Sequence, residues 1–269
     1  MMWSALHFEF MRNAVLAGII ISILCGIIGT LIVVNRLVFM TGGIAHSAYG
    51  GIGIAIYTGI PPVFGAAIFS LIASLIMGAV TLKDRQRADT VIGVLWAVGM
   101  AIGIIFVDLS SGYNVDLMGY LFGSILAVPK EEICLSAIFT AIVIAGVCIS
   151  YKELLAMSYD EEFGIIIGAP VRLLYFLLLS FTAISVVLAM RMVGLILVIA
   201  LISIPPYISE NFVSSLSKMM FLSCLFGIFF TLSGLYLSYC FNISPGASII
   251  LVSGTAFFMS YIKKLWKKK

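Results

Sequence analysis

Apolar runs near twenty residues recur from residue 14 to residue 262, parted by short polar punctuation. A helix rising 1.5 Å per residue needs about that length to cross a hydrocarbon core of roughly 30 Å. The pattern predicts about nine membrane-spanning helices, at 14–34, 42–59, 61–82, 90–109, 132–151, 171–190, 192–206, 219–240 and 246–262. The second is short and rich in glycine, and the seventh is expected to end at Pro205-Pro206. If one of these weak segments does not cross, eight spans remain. The expected fold is all-α, a polytopic transmembrane bundle forming a single domain over residues 1–269.

Composition agrees. Charged residues make up only 10% of the chain and mean hydropathy is +1.21, whereas a soluble domain carries about 25% charged residues. A cleaved signal peptide is not expected, because the first apolar stretch is too long for one. The five cysteines are scattered singly in apolar stretches, without the spacing of a metal site, and read as packing residues.

Charge sets the orientation. With the N-terminus outside and the C-terminus in the cytoplasm, inner loops hold twelve of the fifteen basic residues, leaving Arg12, Lys130 and Arg191 outside. The tail "KKLWKKK" reads as an anchor that meets anionic membrane lipid. Without a basic face or an aromatic stacking platform, no nucleic-acid partner is expected.

Four stretches stand out from this background. In "FMTGGIAHSAYGGIGIAIYTGIPP" helical periodicity stacks His46, Gly50, Gly53 and Tyr57 on one face, with Gly43, Ser47 and Gly51 beside it. Small residues such as Gly43, Gly50 and Gly53 let membrane helices pack closely. An imidazole among them has two readings: an interhelical hydrogen bond, or a ligand for a passing cation, with Ser47 and Tyr49 at hand. No carboxylate lies one turn away, so a lone imidazole here would bind a cation weakly, which would suit a conduit.

The inner loop contains "SYDEEFGIIIGAP", where Asp160, Glu161 and Glu162 follow Ser158. A short helix capped near Ser158 would gain from negative charge in its first turn. Phe163, Ile166 and Ile167 would share an apolar face, and Gly168 would end the helix before Pro170. It reads either as a solvated loop or as a docking helix for a partner. The outer segment 108–131 is broken by Gly112, Asn114 and Gly123, and a partly inserted helix is expected at 116–127. Pro205 and Pro206 free backbone carbonyls, which suits a gate lining or a plain helix terminus.

Six stretches in order, "TGGIAHSAYGGIGIA", "ADTVIGVLWAVGMAIGIIF", "DLMGYLFGSILAV", "SYDEEFGIIIGAPVRLL", "RMVGLILVIALISIPP" and "SPGASIILV", resemble the permease subunit of metal-type ABC importers. The resemblance covers nearly the whole chain. It implies a multi-pass protein of the cell inner (cytoplasmic) membrane that imports a divalent transition metal; a histidine without a carboxylate leans toward zinc, with manganese or iron as alternatives. His46 matches the family's helix histidine at the metal pathway. Many members carry an aspartate four residues earlier, where this chain has Gly42.

The segment 153–170, with Ser158, Asp160, Glu161, Glu162, Phe163 and Gly168, matches the family's coupling helix. Implied partners are a cytoplasmic ABC ATPase subunit that binds the ATP, an extracytoplasmic solute-binding protein, and a second permease copy. The chain itself is expected to be no enzyme and to hold no permanent cofactor; Zn2+ or Mn2+ is cargo. A cation-coupled secondary transporter is the main rival, though such proteins usually place ionisable residues near mid-membrane.

Overall fold

The computed structural model describes residues 7–84, 87–110, 123 and 125–267. Eleven α-helices and one 3₁₀ turn are seen among them, and no strand. The helices are α1 (Glu9–Val34), α2 (Val38–Thr58), α3 (Pro62–Lys83), α4 (Ala88–Leu109), α5 (Lys130–Ile149) and α6 (Tyr151–Tyr159). They continue with α7 (Glu161–Ile166), α8 (Val171–Val193), α9 (Leu195–Glu210), α10 (Leu216–Phe241) and α11 (Pro245–Lys267).

Turn chemistry places the breaks. Gly59 adopts φ 74° after α2, and Pro61-Pro62 then opens α3, where a missing N–H costs nothing. Between α8 and α9 the whole turn is Gly194, at φ 84° and ψ 156°, a conformation open in practice only to glycine.

Among the described residues, seven helices are long and apolar enough to span a membrane: α1, α3, α4, α5, α8, α10 and α11. Nine were expected, and the remaining two segments are helical as well. Helix α2 has 21 residues, but five glycines and the polar Thr41, His46 and Ser47 dilute its hydropathy. Helix α9 has 16 residues, about 24 Å of rise.

One boundary is corrected. The seventh segment does not stop at Pro205-Pro206; α9 carries both prolines, buried, and runs on to Glu210. Two prolines remove the donors that the carbonyls of Leu201 and Ile202 would otherwise meet. The Ser209 hydroxyl donates to the Pro205 carbonyl at 2.8 Å in the turn beyond. Prolines persist in membrane helices where neighbours re-satisfy the freed groups.

The described chain forms two compact units. One gathers α1, α5, α9, α10, α11 and the last turn of α8. In lipid little hydrophobic force drives helix to helix, so close packing and interhelical hydrogen bonds hold such a unit. Ser22 and Thr231 hydroxyls pair at 3.0 Å, and Thr30 donates to Ser223 at 3.2 Å. Ion pairs Lys130–Glu9 and Arg191–Glu132 join helix ends that the charge rule puts on the outer side.

The other unit holds α2, α3, α4, α6, α7 and most of α8. Its seams are made of glycine. A β-carbon on Gly51 would strike the Gly65 carbonyl of α3, and one on Gly53 would strike the Gly103 carbonyl of α4. Of the outer segment, only Gly123 and the 3₁₀ turn Ile125–Ala127 bear on the helix expected at 116–127; the rest lies outside the described residues.

Candidate functional site

His46 sits midway along α2, and its surroundings are fixed by how closely α4 approaches. A β-carbon on Gly99 would lie 2.7 Å from the Ser47 Cα, and one on Gly103 would strike the Tyr49 carbonyl. Helix α4 is thus pressed backbone to backbone against α2. Trp96, one turn before Gly99, is carried onto the imidazole. The two rings stack with centroids 3.9 Å apart and planes inclined by 15°. Phe39 lies beyond the indole, its ring centroid 6.4 Å from that of Trp96.

The imidazole is half-buried, and its Nδ1 is shut from solvent without a hydrogen-bond partner. Three residues on, Tyr49 is 3% exposed and its hydroxyl is likewise buried and unpartnered. Such groups are costly in an apolar interior and mark places with an unmet polar need. Ser47 differs: its hydroxyl donates to the Ile44 carbonyl of its own helix at 2.9 Å.

Gly43 packs on Ile92 and Met77, Gly50 on Phe69 and Gly99, and Gly53 on Gly103. Among the described residues no three His, Cys, Asp or Glu side chains gather as a metal site. A single imidazole with one unmet nitrogen can hold a cation only briefly.

The segment expected to dock a partner is built differently from its expected form. Ser158 does not cap the short helix; it lies in the last turn of α6 and accepts a hydrogen bond from Asn35 Nδ2 at 2.9 Å. The chain breaks two residues later, at Asp160 (φ −150°, ψ 90°), so the Asp160 carboxylate is the cap and accepts from the Phe163 N–H at 2.9 Å. Glu161 and Glu162 follow in the first turn of α7, where the helix dipole favours them.

At the other end Gly168 takes φ 80°. Its N–H donates to Ile165, and that of Ala169 to Gly164, each at 3.0 Å, which is a Schellman closure. Gly164 faces back toward Ala156 and Val171. The outward surface is apolar: Phe163 is 52% exposed, Ile165 62% and Ile166 81%.

Pro205 and Pro206 fall in the first unit, and His46 and α7 in the second. The freed Ile202 carbonyl meets Gly29 of α1.

Two participants escaped the sequence reading. Trp96 could have been suspected from Trp96, Gly99 and Gly103 sharing one helical face. Asn35 sits in a loop of ordinary composition and carried no signal.

Against known proteins, the family model described as ABC 3 transport family matches residues 7–264. The chain belongs to this family. A membrane protein of Synechocystis sp., named as uncharacterized, is 48% identical over 259 residues, covering 96% of this chain and 92% of that one. The manganese transport system membrane protein MntC of Listeria innocua is 33% identical over 257 residues, covering 96% of this chain and 91% of that protein. The solved structure of PsaBC from Streptococcus pneumoniae in complex with Fab matches with a TM-score of 0.86 at 30% identity. That match covers 96% of this chain and 93% of the other. As a member of the ABC 3 transport family with seven apolar spans among the described residues, the chain is a multi-pass membrane permease.

Proposed function

We propose that this chain is the membrane-spanning subunit of an ATP-driven importer of a divalent first-row transition metal. The observation that carries the reading is the match, over more than nine tenths of the chain, to proteins named as manganese transport system membrane proteins. Family membership from residue 7 to residue 264 supports it.

In this reading a binding protein delivers the ion at the outer face. His46 receives it through an imidazole nitrogen and releases it inward, since one neutral donor competes poorly with water. The ATPase subunit grips α7. Its caps at Asp160 and Gly168 make that helix a firm peg, and the exposed Phe163, Ile165 and Ile166 supply an apolar surface for a groove. A second copy of the chain completes the pathway, and hydrolysis of ATP stays on the partner subunit.

Two metals are supported by different observations. The lone imidazole without a carboxylate favours zinc, because manganese prefers oxygen donors. The names of the relatives favour manganese. The test is uptake into proteoliposomes holding the chain with its ATPase and metal-loaded binding protein, comparing zinc and manganese with and without ATP. ATP-dependent uptake of either metal supports the reading, and the faster metal decides between the two. Uptake that follows a proton gradient and ignores ATP contradicts it.

A further inference from the structure

The His46–Trp96 stack has a consequence for how an ion is met. A metal–imidazole bond lies in the ring plane, along a nitrogen lone pair. Whatever fixes that plane fixes where the ion can sit. In this chain the plane lies on the indole of Trp96, 3.9 Å between centroids and 15° from parallel. The indole is held in turn. Its helix cannot slide along α2, because Gly99 and Gly103 seat against the backbone of Ser47 and Tyr49. On the α2 side, Gly42 leaves the space open: a β-carbon there would sit 3.8 Å from Trp96 Cζ3, in ordinary contact, while a longer side chain would reach into the ring.

We propose that Trp96 is the positioning residue for His46. It holds the imidazole so that a passing cation meets the ring edge-on at a nitrogen, and it covers one ring face. This inference rests on His46 lying in the ion pathway. It adds what the lone donor lacks. With no carboxylate to orient the ring, the flat indole does so by contact across the ring face, with the centroids 3.9 Å apart. Indole also tolerates a nearby cation better than an aliphatic side chain would, because its face is electron-rich. Trp96 touches neither ion nor nucleotide; its effect passes through the imidazole.

The test uses the assembled importer in proteoliposomes, with zinc and manganese ions as probes. Trp96→Leu should lower the uptake rate at saturating loaded binding protein by roughly tenfold, the scale seen when a ligand's orienting partner is removed. Trp96→Phe should recover most of that rate, because a phenyl ring restores the flat surface. A second readout leaves Trp96 intact. The chain has three tryptophans, so Trp3→Phe with Trp266→Phe makes Trp96 its sole indole, read as the difference from the same assembly carrying Trp96→Phe. Its emission should change on adding metal when His46 is present and stay constant in His46→Ala.

If His46→Ala abolishes uptake while Trp96→Leu transports normally, the positioning role is wrong and the pathway reading survives. If His46→Ala transports normally, both fall. Should Trp96→Leu fail to assemble, the emission of the intact indole decides. A metal response that requires His46 supports the proposal, and none, in a protein whose uptake requires His46, overturns it.

Discussion

Asn35 Nδ2 donates to Ser158 Oγ at 2.9 Å. The bond ties the turn that opens α2 to the last turn of α6, which feeds directly into α7. Asn35 stands three residues before Val38, the first residue of the His46 helix. In this account a push on α7 reaches α2 through that bond. Asn35→Ala and Ser158→Ala should each lower the metal ions moved per ATP hydrolysed while leaving ATPase attachment unchanged. The bond is worth about 1 kcal/mol. The double variant should be no worse than either single one. Parallel assays of uptake and phosphate release check this, and unchanged stoichiometry in both single variants contradicts it.

A second expectation concerns the freed carbonyl in α9. Ile202 loses its helical donor because residue 206 is proline, and its oxygen lies against Gly29 so closely that a β-carbon would collide. Gly29→Ala should destabilise the protein by about 1–3 kcal/mol, the usual cost of overpacking. Gly254→Ala is the control. Nothing lies within 4 Å of a β-carbon there, and alanine is the better helix former. Thermal unfolding in detergent should show a lower midpoint for the first and an equal or higher one for the second.

The exposed face of α7 should matter for assembly and not for folding. Ile166 is 81% exposed, so Ile166→Lys should cost the chain little stability and should abolish co-purification of the ATPase subunit. Asp160→Ala removes the cap, at a cost of about 1 kcal/mol, and should weaken attachment only in part. Equal recovery of the ATPase with Ile166→Lys and with the unaltered chain would contradict the docking role.

Gly42 invites the reverse experiment. Gly42→Asp places a carboxylate one helical turn before His46, beside the Trp96 ring, which must shift to admit it, so oxygen and nitrogen donors fall on one face. Manganese should gain more than zinc. Turnover should slow, because a tighter site releases its ion reluctantly. Competitive uptake of the two metals reads both effects.

The fold was largely legible because a membrane chain advertises itself by length and apolarity. Every segment expected to span is a helix, and the two that fall short of a spanning helix do so for different reasons, α2 by diluted hydropathy and α9 by its length of 16 residues. Local chemistry was harder. Ser158 and Asp160 are both good caps, and what separates them is where the backbone turns extended, which tertiary packing decides. Pro205-Pro206 looked terminal because the sequence does not show how neighbouring groups accommodate the broken ladder. Trp96 lies fifty residues from His46, and no spacing rule connects residues on different helices.

The account turns on whether His46 serves the passing ion, and uptake by the His46→Ala importer tests that most directly. The variant should assemble with its ATPase and binding protein as the unaltered chain does, and its ATP-dependent uptake of zinc and manganese should fall at least about tenfold. Undiminished uptake of both metals by the assembled variant would contradict the account and leave His46 a packing residue beneath Trp96.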